Sequence, residues 1–389
     1  AKVPTTLPNQ AGGVMAAFEA AKAALSDVDL IVHGTTTTTN AVLERNLCKT
    51  GLITTGGFRD VLELGRRTRP NAYGMTGRFV PVIPRDLRLE VPERMDAQGR
   101  IVTVLDEMAV RDAVRHLIAA GCESLVIHFL HAYANPAHEL RAAEIAAALW
   151  PTPFITMGHA LLSESREFER GVTAAVNAGV QPLLERYVTR LAGELRNRGY
   201  TRDLLVMNGN GGMVAADKVS REAVKTVMSG PASGVMAAVV TGRRAGMANL
   251  LTYDMGGTST DVAMIRAGRP PVSNEIEIEY AMPIHVPMVD VRTVGAGGGS
   301  IARVDAGGML RVGPESAGSV PGPVCYGRGG TRVTISDANL ILGRLPAGRF
   351  GVATDAARRA IAEQIGVPLG LSVEHAAEAV LRIANTHMA

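Results

Sequence analysis

Cysteine is scarce in this chain: three residues in 389, Cys48, Cys122 and Cys325, widely separated and odd in number. That usage argues against a disulfide framework or a cysteine-based zinc centre and for a reducing compartment. Long apolar runs are missing as well, and no stretch approaches the roughly 20 residues of a membrane-spanning helix. Charge of one sign is also lacking. A formal net charge of +3, with Lys and Arg scattered along the chain, gives no reason to expect nucleic acid or an anionic membrane as a partner. No HExxH pairing occurs among the nine histidines. Neither a GxSxG elbow nor a GxxxxGKS/T loop is present, which argues against an α/β-hydrolase or a P-loop NTPase. The chain opens on Ala1-Lys2-Val3 with no signal-peptide pattern, so a cytoplasmic location is expected.

Against these absences stands one dense motif, Asp254-Met255-Gly256-Gly257-Thr258-Ser259-Thr260-Asp261. Apolar runs flank it, Leu250 to Tyr253 before and Val262 to Ile265 after, which reads as strand, glycine-rich turn, strand. Two adjacent glycines are expected to permit positive φ, letting successive backbone N–H groups converge on an anion. Thr258, Ser259 and Thr260 add hydroxyls, while Asp254 and Asp261 supply carboxylates suited to a hydrated Mg²⁺. The plainer alternative is a β-hairpin with surface hydroxyls. Just upstream, Ser229-Gly230-Pro231 reads as a helix start with Ser229 as N-cap, and Gly246 as its stop. Gly234, Ala237, Ala238 and Thr241 form a stripe of small residues on that helix, a face suited to close backbone approach.

Elsewhere helices and strands alternate, which predicts an α/β layered domain. Asn9 is expected to cap a helix with Val14, Phe18, Ala21 and Leu25 inward, followed by a strand at Leu30–His33. Asp106 is expected to begin a helix with Val110, Ala113, Val114, Leu117 and Ile118 inward, followed by a strand at Leu125–Phe129. Asn135-Pro136 starts another helix. A long helix from about Glu167 to Asn197 is expected to bend at Pro182. Its opening, Arg166-Glu167-Phe168-Glu169-Arg170, reads as a solvated face of complementary charges. From Pro270 to Gly330 the chain is rich in Gly and Pro, so loops and short strands are expected. Helices resume near Thr354-Asp355 and at Ser372, both expected as N-caps. The boundary between two domains falls near Ala232, giving lobes 1–232 and 233–389.

Three other segments are candidates for chemistry. Gly295 to Ser300 is a second glycine-rich turn, suited to close polyphosphate approach or simply to a tight bend. His33-Gly34 leads into Thr35 to Thr39 and Asn40, placed either to orient a ligand or to cap a helix through Thr39 or Asn40. His131, His138 and His285 stand apart and read as hydrogen-bonded structural residues.

Taken in order, these segments resemble the hydantoinase A/5-oxoprolinase family of the actin-like ATPase superfamily. The resemblance rests on His33 to Arg45, Leu52 to Asp60, Leu130 to Glu139, Asp254 to Asp261 and Gly295 to Ile301. Gly313 to Gly318, Pro321 to Gly330 and Asp337 to Leu340 extend it across nearly the whole chain. It implies a two-lobed ribonuclease H-like α/β architecture, ATP and Mg²⁺ as cofactors, and activation of a cyclic amide by phosphorylation of its carbonyl oxygen. On this reading Gly256, Gly257, Thr258 and Ser259 bind phosphate, with Gly297, Gly298 and Gly299 approaching the nucleotide. Asp254 contacts Mg²⁺ through water, Asp261 assists it or fixes the hairpin, and Thr36 and Asn40 meet the substrate.

The resemblance further implies a hydantoinase B-type partner, as a separate subunit or fused region, in a hetero-oligomer. Family members carry another phosphate hairpin before the Lys2-Val3-Pro4-Thr5 segment and continue past the Asn385–Met388 helix. The chain is therefore expected to be truncated at both ends and inactive alone. Arg292 stands where the family often has His. Alternatives are the ATP-using subunit of an acetone or acetophenone carboxylase, or a non-catalytic nucleotide-binding module.

Overall fold

The structure is a computed structural model that describes residues 3, 10–66, 71, 73–74, 79–277, 282–346 and 353–389. The chain forms two compact units, Ala1–Ser233 with Val272–Val289, and Gly234–Pro271 with Asp290–Ala389. A single cut at residue 232 would leave 272–289 in the second lobe. This segment instead packs into the first unit, whose core takes in Met282, Ile284, Val286 and Met288.

The first unit is built on four parallel strands in the order Arg88–Val91, Thr50–Thr55, Ser124–His128 and Ile155–Met157. Every residue of the two middle strands is buried, as a parallel sheet covered on both faces requires. The helix Glu107–Ala119 begins as its sequence indicates: the Asp106 carboxylate accepts from the Met108 and Ala109 amides at 3.0 Å. Val110, Ala113, Val114 and Leu117 line its inner face. A second sheet places Ile31–His33 parallel to Leu204–Met207, which turns through Asn208–Gly212 into Met213–Ala215. The first helix spans Gln10–Ala20 and buries Ala11, Gly13 and Met15, with Val14 and Phe18 only partly covered. Its expected cap, Asn9, lies outside the described residues.

The long helix is continuous from Glu167 to Asn197 and passes through Pro182. Proline has no N–H for the carbonyl four residues earlier. Here Cys48 meets that need, its thiol donating to the Ala178 carbonyl at 3.4 Å while its amide donates to Gly179 at 3.0 Å. The helix opening differs from its expected solvated face. Glu169 and Arg170 are both buried, and the Arg170 guanidinium donates to the carbonyls of Glu164 and Phe129. The expected structural roles of the histidines have particular partners. His138 pairs with Glu93 at 2.8 Å, and His285 with Glu164 at 2.8 Å and Glu275 at 3.1 Å.

In the second unit an antiparallel sheet joins Leu250–Met255, Thr260–Ile265 and Val291–Val294. A separate hairpin, Ser300–Val304 with Leu310–Ser316, packs on helices Ile335–Ile341 and Val373–Met388 through Ala302, Val312, Val333, Ile335, Val380 and Leu381. Thr334 and Asp337 form a capping box, and Asp337 also accepts from the Cys325 amide at 2.7 Å. Ser372 caps the last helix, whereas Thr354 is the first residue of its helix rather than the cap.

The helix Ser229–Arg244 departs from expectation twice. Ser229 is no N-cap; its hydroxyl donates to the Thr35 carbonyl at 2.8 Å and accepts from the Thr35 amide at 3.2 Å. The small-residue stripe is largely exposed, and the close approach falls at Gly242, where a Cβ would collide with Leu250 and the Met247 carbonyl. Among the described residues no single helix is long and apolar enough to cross a membrane.

Candidate phosphate-binding hairpin

The Asp254–Asp261 motif forms the turn of the second unit's hairpin. Met255 pairs with Thr260, and Asp254 with Asp261. Inside the turn one bond closes the loop, from the Gly256 amide to the Ser259 carbonyl at 2.8 Å. Neither Gly256 nor Gly257 has a left-handed φ, contrary to the expectation of a positive-φ nest. What glycine supplies here is clearance. A Cβ on Gly257 would meet nothing within 4 Å, which leaves open space at the tip.

The second glycine-rich loop packs against the back of this turn. The Gly298 amide donates to the Gly256 carbonyl at 2.9 Å, and the Gly299 amide to the Gly257 carbonyl at 2.6 Å. A Cβ on Gly297 would lie 2.7 Å from the backbone of Thr258 and Ser259, so only glycine fits. The Gly297 amide is taken by the Ser300 hydroxyl at 2.9 Å. The three amides of Gly297, Gly298 and Gly299 are thus all engaged within the protein, and their role in the structure is to brace the turn. Thr260 adds to the brace through its hydroxyl, 2.6 Å from the Ala296 carbonyl, and the Ser336 amide holds Gly298.

This bracing orients the turn. In a planar trans peptide the N–H points opposite to the C=O of the same unit. Because the Gly256 and Gly257 carbonyls face the second loop, the N–H groups of Gly257 and Thr258 face away from it. Gly257 and Thr258 are exposed, and among the described residues no hydrogen bond engages their amides, the Ser259 amide or the Thr258 and Ser259 hydroxyls. Several donors are therefore free on one tip.

The two carboxylates beside the tip are not equivalent. Asp261 accepts from the Thr293 hydroxyl at 2.6 Å, across the pair that joins it to the third strand. Asp254 is exposed, and its carboxylate makes no hydrogen bond or ion pair among the described residues. A Mg²⁺ site commonly uses one or two carboxylates, waters and substrate phosphates, and a free Asp254 beside free amides fits that donor set.

Arg292, on the third strand, pairs with Asp290 at 3.3 Å. Thr293 and Ser336 went unnoticed in the sequence, because each acts only through a strand or helix brought alongside the motif. Thr260 and Ser300 lay within motifs already visible.

Thr36 and Asn40 belong to the first unit. The helix there starts at Thr37, so neither Thr39 nor Asn40 caps it. Four of the five threonines have fixed partners. Thr35 and Thr37 bond each other, Thr37 bonds Gln10, Thr38 bonds Thr226 at 2.8 Å, and Thr39 accepts from the Met228 amide. Thr36 and Asn40 are exposed, four residues apart, and their side chains make no hydrogen bond among the described residues. At the end of the preceding strand His33 bonds Tyr187 at 2.7 Å; burial pushes the imidazole down to about 4 and the phenol up to about 12.

Residues 1–150 match the family profile described as hydantoinase/oxoprolinase N-terminal region, and residues 170–389 that described as hydantoinase/oxoprolinase. The chain belongs to the hydantoinase/oxoprolinase family. It is 36% identical to caprolactamase subunit alpha of Pseudomonas jessenii over 94% of its own length, covering 53% of that relative. To the acetophenone carboxylase gamma subunit of Aromatoleum aromaticum it is 34% identical over its full length, covering 57% of the relative. The crystal structure of ATP-dependent caprolactamase from P. jessenii superposes with a TM-score of 0.82 at 36% identity, over 97% of this chain and 56% of that one. The fold is that of the actin-like ATPases, as the sequence resemblance implied. The chain spans little more than half the length of these relatives.

Proposed function

We propose that this chain is the ATP-using part of an enzyme that opens a cyclic amide of the hydantoin or 5-oxoproline type. The observation that carries this reading is the braced turn, with the Gly257 and Thr258 amides directed outward beside an unpartnered Asp254. In this proposal Gly257, Thr258 and Ser259 cradle phosphate, Gly256 closes the turn through its amide, and Asp254 holds Mg²⁺ through water. Asp261 keeps the strand in register through Thr293. Gly297, Gly298 and Gly299 act as the brace rather than as phosphate donors. Bound Mg²⁺ would neutralise phosphate charge. The substrate contacts are Thr36 and Asn40.

An amide carbonyl resists water because its nitrogen donates electron density and leaves poorly. Transfer of the γ-phosphoryl group of ATP to the carbonyl oxygen releases ADP and leaves an activated carbon. Water then adds to that carbon, the C–N bond breaks and the nitrogen takes a proton, leaving an acyl phosphate. A second water attacks its carbonyl carbon, and phosphate departs with the former amide oxygen to leave the carboxylate. In such a transfer the protein supplies positioning and charge stabilisation. The proposed partner is a hydantoinase B-type subunit or fused region that carries out the hydrolytic half, within a hetero-oligomer.

A second reading is supported by the acetophenone carboxylase relative: phosphoryl activation of a ketone for carbon–carbon bond formation. Phosphate release by the complete enzyme, assayed with cyclic amides and with ketone plus bicarbonate, separates the two. Stimulation by a cyclic amide is expected; stimulation only by ketone plus bicarbonate transfers the assignment. No stimulation by either, with ATP still bound, would leave a nucleotide-binding module.

A further inference from the structure

On the hairpin Ser300–Val304/Leu310–Ser316, Arg303 pairs directly with Arg311. Opposed residues of an antiparallel pair project from the same face, so two guanidinium groups share one surface, an arrangement that costs stability unless something offsets it. One carboxylate does so in part: Asp305 accepts from Arg311 Nε at 2.9 Å. Arg303 forms no hydrogen bond or ion pair among the described residues.

Both arginines line a cavity of about 590 Å³ within the second unit. Leu310 and Ile383 supply apolar wall, and His387 stands at the same cavity. The volume falls within the range of about 300–1,000 Å³ typical of small-molecule sites. Two guanidinium groups against one carboxylate leave one positive charge to be matched. A guanidinium binds a carboxylate in planar, two-point fashion.

We propose that this cavity binds a small monocarboxylate with an apolar body, its carboxylate on Arg303 and its chain against Leu310 and Ile383. A monoanion completes the charge balance. A phosphate dianion would bring excess negative charge towards Asp305 and is the weaker ligand. The inference is independent of the nucleotide reading, since it uses none of the hairpin-turn groups.

Isothermal titration of the full-length protein with hexanoate and with inorganic phosphate tests it, using wild type and Arg303→Gln. Saturable hexanoate binding is expected in wild type, tighter than phosphate, weakened at least about tenfold by Arg303→Gln, and unchanged by saturating Mg-ATP. Arg303 is exposed, so the variant should fold, with a thermal midpoint at or above that of wild type. Absence of hexanoate binding overturns the proposal, as does equal affinity in the variant or a preference for phosphate. Displacement by ATP would assign the cavity to the nucleotide and overturn a separate site.

Discussion

Asp254 and Asp261 stand opposite each other across the hairpin, yet only Asp261 has a partner, the hydroxyl of Thr293. Like charges at opposed positions cost a few tenths to about 1 kcal/mol, so the pair is not there to stabilise the strands. A bound cation would turn that repulsion into attraction.

Asp254→Asn should therefore leave the fold as stable as wild type, or more stable by up to about 1 kcal/mol. In the complete enzyme the same variant should lose ATP-coupled turnover by at least about a hundredfold. Thermal unfolding and phosphate release measured on one preparation check both halves. A destabilised variant with intact turnover would assign Asp254 a purely structural role.

The two glycine loops predict opposite outcomes for one chemical change. Gly257→Ala puts a methyl into open space and should fold normally, while nucleotide affinity falls. Gly297→Ala drives a methyl into the turn backbone and should cost about 1–3 kcal/mol. Urea midpoints and nucleotide titrations distinguish them. Equal destabilisation of both variants would contradict the bracing arrangement.

The threonine run should divide in the same way. Ser229→Ala strands the buried Thr35 amide and carbonyl and should destabilise by about 1–3 kcal/mol, whereas Thr38→Val removes one hydrogen bond from a Thr226 hydroxyl still held by Ala223 and should cost about 0.5–1.5 kcal/mol. Thr36→Ala and Asn40→Ala remove exposed, unpartnered groups and should change stability by less than about 0.5 kcal/mol. If they contact substrate as proposed, KM in the complete enzyme rises while the unfolding midpoint stays fixed.

Two histidines, His128 buried and His33 half-buried, set a pH dependence. Burial depresses both His33 and His128 to about 4, below the ordinary 6.5 they regain on unfolding. Between those values the unfolded chain binds more protons, so stability falls as pH is lowered from about 6.5 towards 4. Each histidine contributes a slope of up to about 1.4 kcal/mol per pH unit in that window. Urea midpoints at pH 7 and pH 5 should show the loss, and His33→Gln should reduce it. An unchanged slope in that variant would mean His33 is not protonated on unfolding.

Much of this was legible in the sequence where the signal is local. The hairpin declares itself through apolar flanks and a glycine-rich tip, and the Asp106 cap through the periodicity behind it. The orientation of the turn amides was not legible. It depends on Gly297–Gly299, some forty residues downstream, drawing the Gly256 and Gly257 carbonyls to one side. The expectation of positive φ failed for the same reason, because the glycines serve clearance and docking instead. Arg170 was misread because charges spaced along a helix look solvated until the carbonyls of Phe129 and Glu164 are placed over them.

The return of residues 272–289 to the first unit bears on how the chain is made. During synthesis, the strands at 250–265 leave the ribosome before the first unit has received Met282, Ile284, Val286 and Met288. That core stays open while the hairpin of the other unit is already available to form. A fragment ending near residue 233 would lack the same four apolar side chains and the His285 contacts to Glu164 and Thr173. It should expose apolar surface and aggregate when expressed alone. A dissection that respects the fold must carry 272–289 with the first unit, supplied by a linker or by circular permutation.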